Sequence, residues 1–285
     1  MLRLVLAVLL ATPACAQPGP APAAPSRRAD SVVTRRPAPD VPVRADSSVS
    51  VRSETLRVGE TSVEVRITER PCAAACWTAL NVHDDENTAV EAALDVIGRR
   101  GGRLVELRHS GARNLAFRLG GEAFAVDPNR IFTPAGRART LAALSRDTPA
   151  ARTAVAAFAR DLLALAGTPA TVVALHNNTD ANYSAASYAP GGSDADEAAD
   201  LFLAPGADPD DFVFVTTRPL FDAVRASGVT AILQDNAAAT DDGSLSVWAA
   251  QNGRPYVNVE AQHGHGAANA AMIAALPAWL AAASE

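Results

Sequence analysis

The chain has 285 residues, a formal net charge of −6 and 48% hydrophobic residues, a balance that excludes the basic, aromatic-interleaved surface expected of a nucleic-acid binder. All 25 of its basic residues are arginine, so Schiff-base and lysine-nucleophile mechanisms are excluded as well. No internal repeat is visible, and the length beyond the first fifty residues suits one domain with an ample core.

At the N-terminus Arg3 precedes an apolar run at 4–10 and the small-residue site Ala14-Cys15-Ala16, which predicts a secretory signal peptide over 1–16 and an exported, periplasmic or secreted, protein. That run is too short to span a bilayer, and no later segment reaches the ~20 apolar residues a membrane helix needs, so no membrane span is expected. Lipidation at Cys15 is the less favoured reading, because Thr12 stands where a lipobox carries an apolar residue. Residues 17–50, rich in Pro, Ala, Ser, Asp and Arg, offer nothing periodic to bury and predict a disordered linker before a single domain over 51–285. In an oxidising compartment Cys72 and Cys76 are expected to form a small-loop disulfide. Two cysteines are an incomplete structural zinc site, and their spacing is not that of a redox pair.

Short apolar runs alternate with longer helical patterns through this domain. Strands are predicted at 62–68 and 77–82, then a helix at 88–100 ending at Gly101-Gly102. Strands follow at 104–108, 114–119 and 123–126, the last two joined through Gly120-Gly121 as a tight hairpin, and then helices at 136–146 and 150–166. The apolar, β-branched run at 171–175 has the character of a strand in mid-sheet. Further strands are expected at 212–215, 229–233, 245–248 and 256–259, with helices at 219–226 and 267–283, the second interrupted by Pro277. The simplest packing for this order is α/β, a mixed central β-sheet flanked by helices.

Three polar residues come directly after apolar strands: His83, His176 and Glu260. Strand ends are where α/β sheets bind ligands, and His83, Glu86 and His176 would supply the three imidazole and carboxylate donors of a catalytic zinc, with one position left for water. Alone, His83-Asp84-Asp85-Glu86 is weak evidence and reads more readily as a solvated turn before a helix, whose N-terminus favours Asp84 and Asp85. One of those acids could instead orient His83. Asp127-Pro-Asn129-Arg130-Ile-Phe adds an Asn-Arg pair after a strand, between the two metal-binding stretches.

The ordered set His-x-x-Glu, Asp-x-Asn-Arg-x-Phe, apolar strand then His, late strand then Glu resembles the zinc carboxypeptidase superfamily, including its succinylglutamate desuccinylase and aspartoacylase branch, over roughly 75–265. The run Leu175-His176-Asn177-Asn178-Thr179 is similar to the deacylase branch, although Ala174-Leu175 occupies a place where that branch commonly carries an Asp. The resemblance implies a zinc carboxypeptidase-like fold with zinc on His83, Glu86 and His176, and Glu260 as general base and then general acid. It also implies Asn129 and Arg130 as binders of a substrate carboxylate, and an arginine near the scissile carbonyl, for which Arg113 is preferred to Arg118. The expected activity is zinc-dependent hydrolysis of amide bonds in small-molecule or peptide substrates with a free carboxylate, cell-wall peptides among the candidates. The alternative is a metal- or ligand-binding module that kept the fold without turnover. Tyr183 lies in a polar loop that either folds over the pocket to supply a phenolic donor or is plain surface. His263 and His265 form an H-x-H pair that is either a competing metal site or a loop entering the last helix.

Overall fold

The structure is a computed structural model and describes residues 49–284 apart from 73–75, 168 and 181. The expected signal peptide over 1–16 and all of the linker but its last two residues lie outside the described residues. The chain then opens with a hairpin, β1 (Ser50–Val58) and β2 (Thr61–Arg70). Cys72 and Cys76 are bridged, with Cα atoms 5.4 Å apart, just before β3 (Thr78–Asn81). Next come α1 (Asn87–Arg100), β4 (Gly102–Arg108) and a separate hairpin of β5 (Leu115–Leu119) and β6 (Glu122–Val126). Its turn is Gly120-Gly121, both with positive φ, which only glycine adopts without strain.

Two helices follow, α2 (Pro134–Leu144) and α3 (Pro149–Ala166), and both begin in the same way. Thr133 and Thr148 accept a backbone N–H at the cap while proline fills the first turn, where no N–H is needed. The rest of the chain supplies β7 (Val172–Asn178), β8 (Ala198–Phe202), β9 (Phe212–Val215), α4 (Arg218–Ala226), β10 (Ala231–Gln234), α5 (Leu245–Gln251), β11 (Tyr256–Gln262) and α6 (Gly266–Ala282).

Nine strands make one mixed sheet in the order β1-β2-β4-β3-β7-β11-β9-β10-β8, with β4, β3, β7 and β11 mutually parallel at its centre. Alternation along the central strands divides the core. Val173, Leu175, Val257 and Val259 face α1, α4 and α6, while Val172, Ala174 and Tyr256 face the layer holding Leu141 of α2, Phe158 of α3 and Leu245 of α5. β7 is buried at every position, as a run apolar on both faces requires.

The expected α/β class is observed, with three local corrections. Residues 245–248 are helical, not a strand, because Ser244 caps them by accepting the Val247 N–H. The last helix runs through Pro277 without a break, since Ile273, Leu276 and Trp279 are buried on both sides of it and hold the turn despite the missing N–H. The edge strands β1 and β8 were not predicted. β1 is exposed along most of its length, so it carries little of the alternation that marks a half-buried strand.

Among the described residues no helix is long and apolar enough to cross a membrane.

Candidate metal centre

β7 and β11 pair in parallel with His176 directly opposite Glu260, so both side chains rise from the same face of the sheet near the carboxyl ends of its strands. Each lies within its strand, two residues before the last, and not just after it as the sequence suggested. His83 follows β3, and Glu86 stands at the N-terminal boundary of α1. The Glu86 side chain does not cap its own helix; β7 does so instead, where Asn177 Oδ1 accepts the Ala89 N–H at 2.8 Å. That frees the carboxylate for the centre.

There His83 Nδ1 lies 2.7 Å from Glu86 Oε1 and His176 Nδ1 lies 2.8 Å from Glu86 Oε2, and all three residues are buried. One ligand atom from each of the three falls within 4.8 Å of the others, the one such metal-capable group among the described residues. The donor set fits a zinc ion: two imidazoles, one carboxylate, and one of the histidines already oriented from behind. That orienting group is Asp127, whose Oδ1 is 2.8 Å from His83 Nε2. Of the two readings open for Asp84 and Asp85, orientation of His83 is not the one Asp84 takes. Asp84 Oδ2 accepts the backbone N–H groups of His109, Ser110 and Gly111 at 2.6–2.8 Å, so it shapes the turn that leads to Arg113. Asp85 lines the cavity.

Arg113 Nη1 is 3.0 Å from Glu86 Oε1 and its Nη2 is 3.7 Å from Asp127 Oδ2, which places a half-exposed guanidinium against the centre. Arg118 points to solvent from β5 and bonds the Gly121 carbonyl, as strand alternation implied. Burial opposes the charge on His83, but the carboxylates of Glu86 and Asp127 outweigh it and hold the ring up at about 9. Burial likewise opposes the charge on Glu86, and the two imidazoles overcome it, keeping the carboxyl well below the usual range. Glu260 goes the other way. Burial and the charge of Glu86 push its carboxyl up to about 8, although Asn258 Nδ2 donates to Oε2 at 2.9 Å.

Glu86, Arg113, His176 and Glu260 line one wall of a cavity of about 520 Å³. Asn129 and Arg130 reach it from a single helical turn, Pro128–Arg130, whose start Asp127 caps. The Asn129 amide is engaged on both ends: Nδ2 is 3.4 Å from His176 Nε2, and Oδ1 accepts the Leu245 N–H at 3.3 Å. Arg130 Nη1 contacts Asp242 Oδ2 at 3.3 Å and the Asn129 carbonyl at 3.2 Å. The segment holding Asp242 passes closely over α2, with the Phe132 N–H bonded to the Gly243 carbonyl at 3.0 Å. Tyr183 also lines the cavity; its hydroxyl is 2.8 Å from that of Tyr188, and its ring packs against Phe212. It belongs to the folded wall and not to plain surface. His263 is exposed at the cavity edge, whereas His265 pairs with Asp211 at 3.0 Å, so the H-x-H pair does not converge on a common point.

No family model matches the chain, and no curated protein does. Among solved structures it is similar to a metallo-carboxypeptidase of Burkholderia cenocepacia, with 13% identity, a TM-score of 0.41, and 82% of this chain and 65% of that one covered. It is also similar to an aspartoacylase family protein of Mesorhizobium loti, with 13% identity, a TM-score of 0.40 and coverages of 79% and 67%. The murein-tripeptide amidase of Escherichia coli O157 is a third, with 15% identity, a TM-score of 0.39 and coverages of 75% and 87%. The chain thus spans about two thirds of the length of the first two, and likenesses this distant say nothing about its activity.

Proposed function

We propose that the chain is a zinc-dependent hydrolase of amide bonds in substrates that carry a free carboxylate, of the carboxypeptidase or N-acyl amino acid deacylase type. One observation carries the reading: the donor atoms of His83, Glu86 and His176 converge at the wall of a cavity, and Glu260 stands in register beside them with a carboxyl able to hold a proton near neutrality.

Zinc in such a donor set supplies Lewis acidity, acidifying water and polarising a carbonyl. The chain's own residues do the rest. Glu260 takes a proton from the attacking water and returns it to the leaving nitrogen, a shuttle best served by a carboxyl whose affinity for protons is raised toward neutral pH. Asn258 holds that carboxylate by one oxygen and leaves the other for the proton. Arg113, half-exposed and in contact with Glu86, is placed to offset charge on the carbonyl oxygen. Arg130 offers the substrate carboxylate its remaining guanidinium nitrogens, while Asn129 braces His176 and the start of α5. Tyr183 supplies a phenolic donor, its proton held firmly because burial raises the phenol well above its usual range.

The signal peptide expected over 1–16 supports a place outside the cytoplasm, where cell-wall peptides are candidate substrates. The test is hydrolysis of C-terminal peptide and N-acyl amino acid substrates, with Glu260→Gln as the diagnostic variant. The variant should keep its metal and lose roughly 10²- to 10⁴-fold in turnover. Full activity in Glu260→Gln would refute the shuttle, and binding without turnover in every substrate class would identify a binding module of the same fold.

A further inference from the structure

The proposed chemistry uses the end of the cavity at the metal centre, and away from it stand two buried polar groups that the fold leaves unsatisfied. Tyr256 and Asn258 precede Glu260 on β11 at steps of two, so all three rise from the same face of the sheet. Tyr256 is only 2% exposed and lines the cavity. Its hydroxyl has no hydrogen-bond partner among the described residues, yet it is not sealed off and keeps surface open to the cavity. Burial raises the phenol well above its usual range, so the hydroxyl keeps its proton and stands as a donor.

Gln234, the last residue of β10, is 4% exposed and lines the same cavity. Its amide is oriented by a chain of bonds that no titration alters. The Thr216 carbonyl can only accept, so Asn236 Nδ2 donates to it at 2.9 Å, and Asn236 Oδ1 is left to accept from Gln234 Nε2 at 3.0 Å. Gln234 Oε1 is thereby turned away from Asn236, and it too has no partner among the described residues while keeping accessible surface. Thr216 joins the two walls, since its Oγ1 accepts the Tyr256 N–H at 3.0 Å. β9 lies between β11 and β10, which sets the two backbones about 10 Å apart. Phe214 of β9 pairs with Asn258 and shares its face, and with the Tyr188 ring 5.5 Å away it makes an aromatic floor. A buried donor and a buried acceptor left unpaired are unfavourable, and a ligand that offers the complement of each relieves both.

We infer that this part of the cavity is a specificity subsite for a neutral carboxamide side chain, with Tyr256 Oη donating to its oxygen and Gln234 Oε1 accepting its N–H above the aromatic floor. The inference rests on the proposed function, in which the same substrate residue presents its carboxylate to Arg130. Its chemistry is selective against both isosteres of an amide. A carboxylate brings a second oxygen to Gln234 Oε1 where an N–H is needed, and an apolar side chain leaves both protein groups unpaired.

The experiment uses the full-length, zinc-loaded protein and two readouts: kcat/KM for N-acyl amino acids and N-acyl dipeptides, and calorimetric binding of the free amino acids. The terminal residue is varied at two chain lengths, asparagine against leucine and aspartate, and glutamine against methionine and glutamate. At one of these lengths the amide should exceed both isosteres by roughly tenfold or more in both readouts, as a site built to hydrogen-bond its ligand implies. Tyr256→Phe removes the hydroxyl alone and should bring the ratio of amide to apolar isostere toward unity, a change that lost stability by itself would not produce. An amide handled no better than its isosteres at either length, or a wild-type ratio retained by Tyr256→Phe, overturns the subsite, while hydrolysis of any substrate leaves the hydrolase reading standing. Preferential binding of the amide with no hydrolysis of any substrate leaves the subsite standing and overturns the hydrolase. Neither binding nor hydrolysis of any of them overturns both. Should Tyr256→Phe fail to fold, the wild-type ratios decide alone.

Discussion

Glu86 has more donors than oxygens: two imidazole nitrogens and the Arg113 guanidinium all meet its two atoms in a buried site. Glu86 thus stays ionised; its charge holds His83 up at about 9 against burial and adds to the burial that raises Glu260 to about 8. Without metal both stay protonated in the folded chain at pH values where an unfolded chain has lost those protons, above 6.5 for His83 and 4.5 for Glu260. Their contributions to stability are therefore complete below those values and vanish as pH rises through about 9 and about 8. Glu86 and Asp127 are shifted down, so their contributions are already complete in this window. Thermal melts of the metal-free protein should accordingly fall from about pH 6.5 to about pH 9.5; a melting temperature that rises across that range contradicts the assignment. The role of Asp127 is testable separately. Asp127→Asn removes the carboxylate that fixes the His83 ring and should weaken zinc binding by roughly 10- to 100-fold in a chelator competition, and unchanged affinity would count against it. Asp127 was visible in the sequence as the first residue of its motif, but nothing in a string of letters brings it to a histidine 44 positions earlier. The outward course of Arg118 was legible, because strand alternation alone predicts it.

At the scale of elements, the site depends on two close crossings. Asp84 gathers three N–H groups of the turn after β4 and so sets the path to Arg113. The segment before α5 lies directly on the start of α2, where a Cβ on Gly136 would sit 2.1 Å from Gly243 Cα and 2.7 Å from the Arg130 carbonyl oxygen. Both obstacles are backbone and cannot swing aside, so Gly136→Ala should cost about 2 kcal/mol or more. Denaturant unfolding checks this, and a loss below about 0.5 kcal/mol, the range of an ordinary surface change, would show that the crossing yields. Neither crossing has a sequence signature. The helix α5 shows a related limit: an apolar run at 245–248 satisfies a short strand and a buried helical turn equally, and only the Ser244 cap distinguishes them. Strong periodicity and glycine punctuation made α1, α3 and the β5-β6 hairpin readable within a residue or two.

At the scale of the whole molecule, the parallel centre of the sheet was foreshadowed by alternating strands and helices, but its spatial order was not, because pairing of β7 with β11 joins segments about eighty residues apart. That pairing makes the site. It sets His176 and Glu260 side by side and leaves β3 and α1 to bring His83 and Glu86 from the adjoining strand end. The central claim, that these three side chains hold one zinc beside Glu260, is tested most directly by the zinc content of the full-length protein after exhaustive dialysis. Wild type and Glu260→Gln should each retain about one equivalent, and His176→Ala, folded by circular dichroism, should retain essentially none. Zinc held equally well by His176→Ala, or none held by the wild type, would contradict the account.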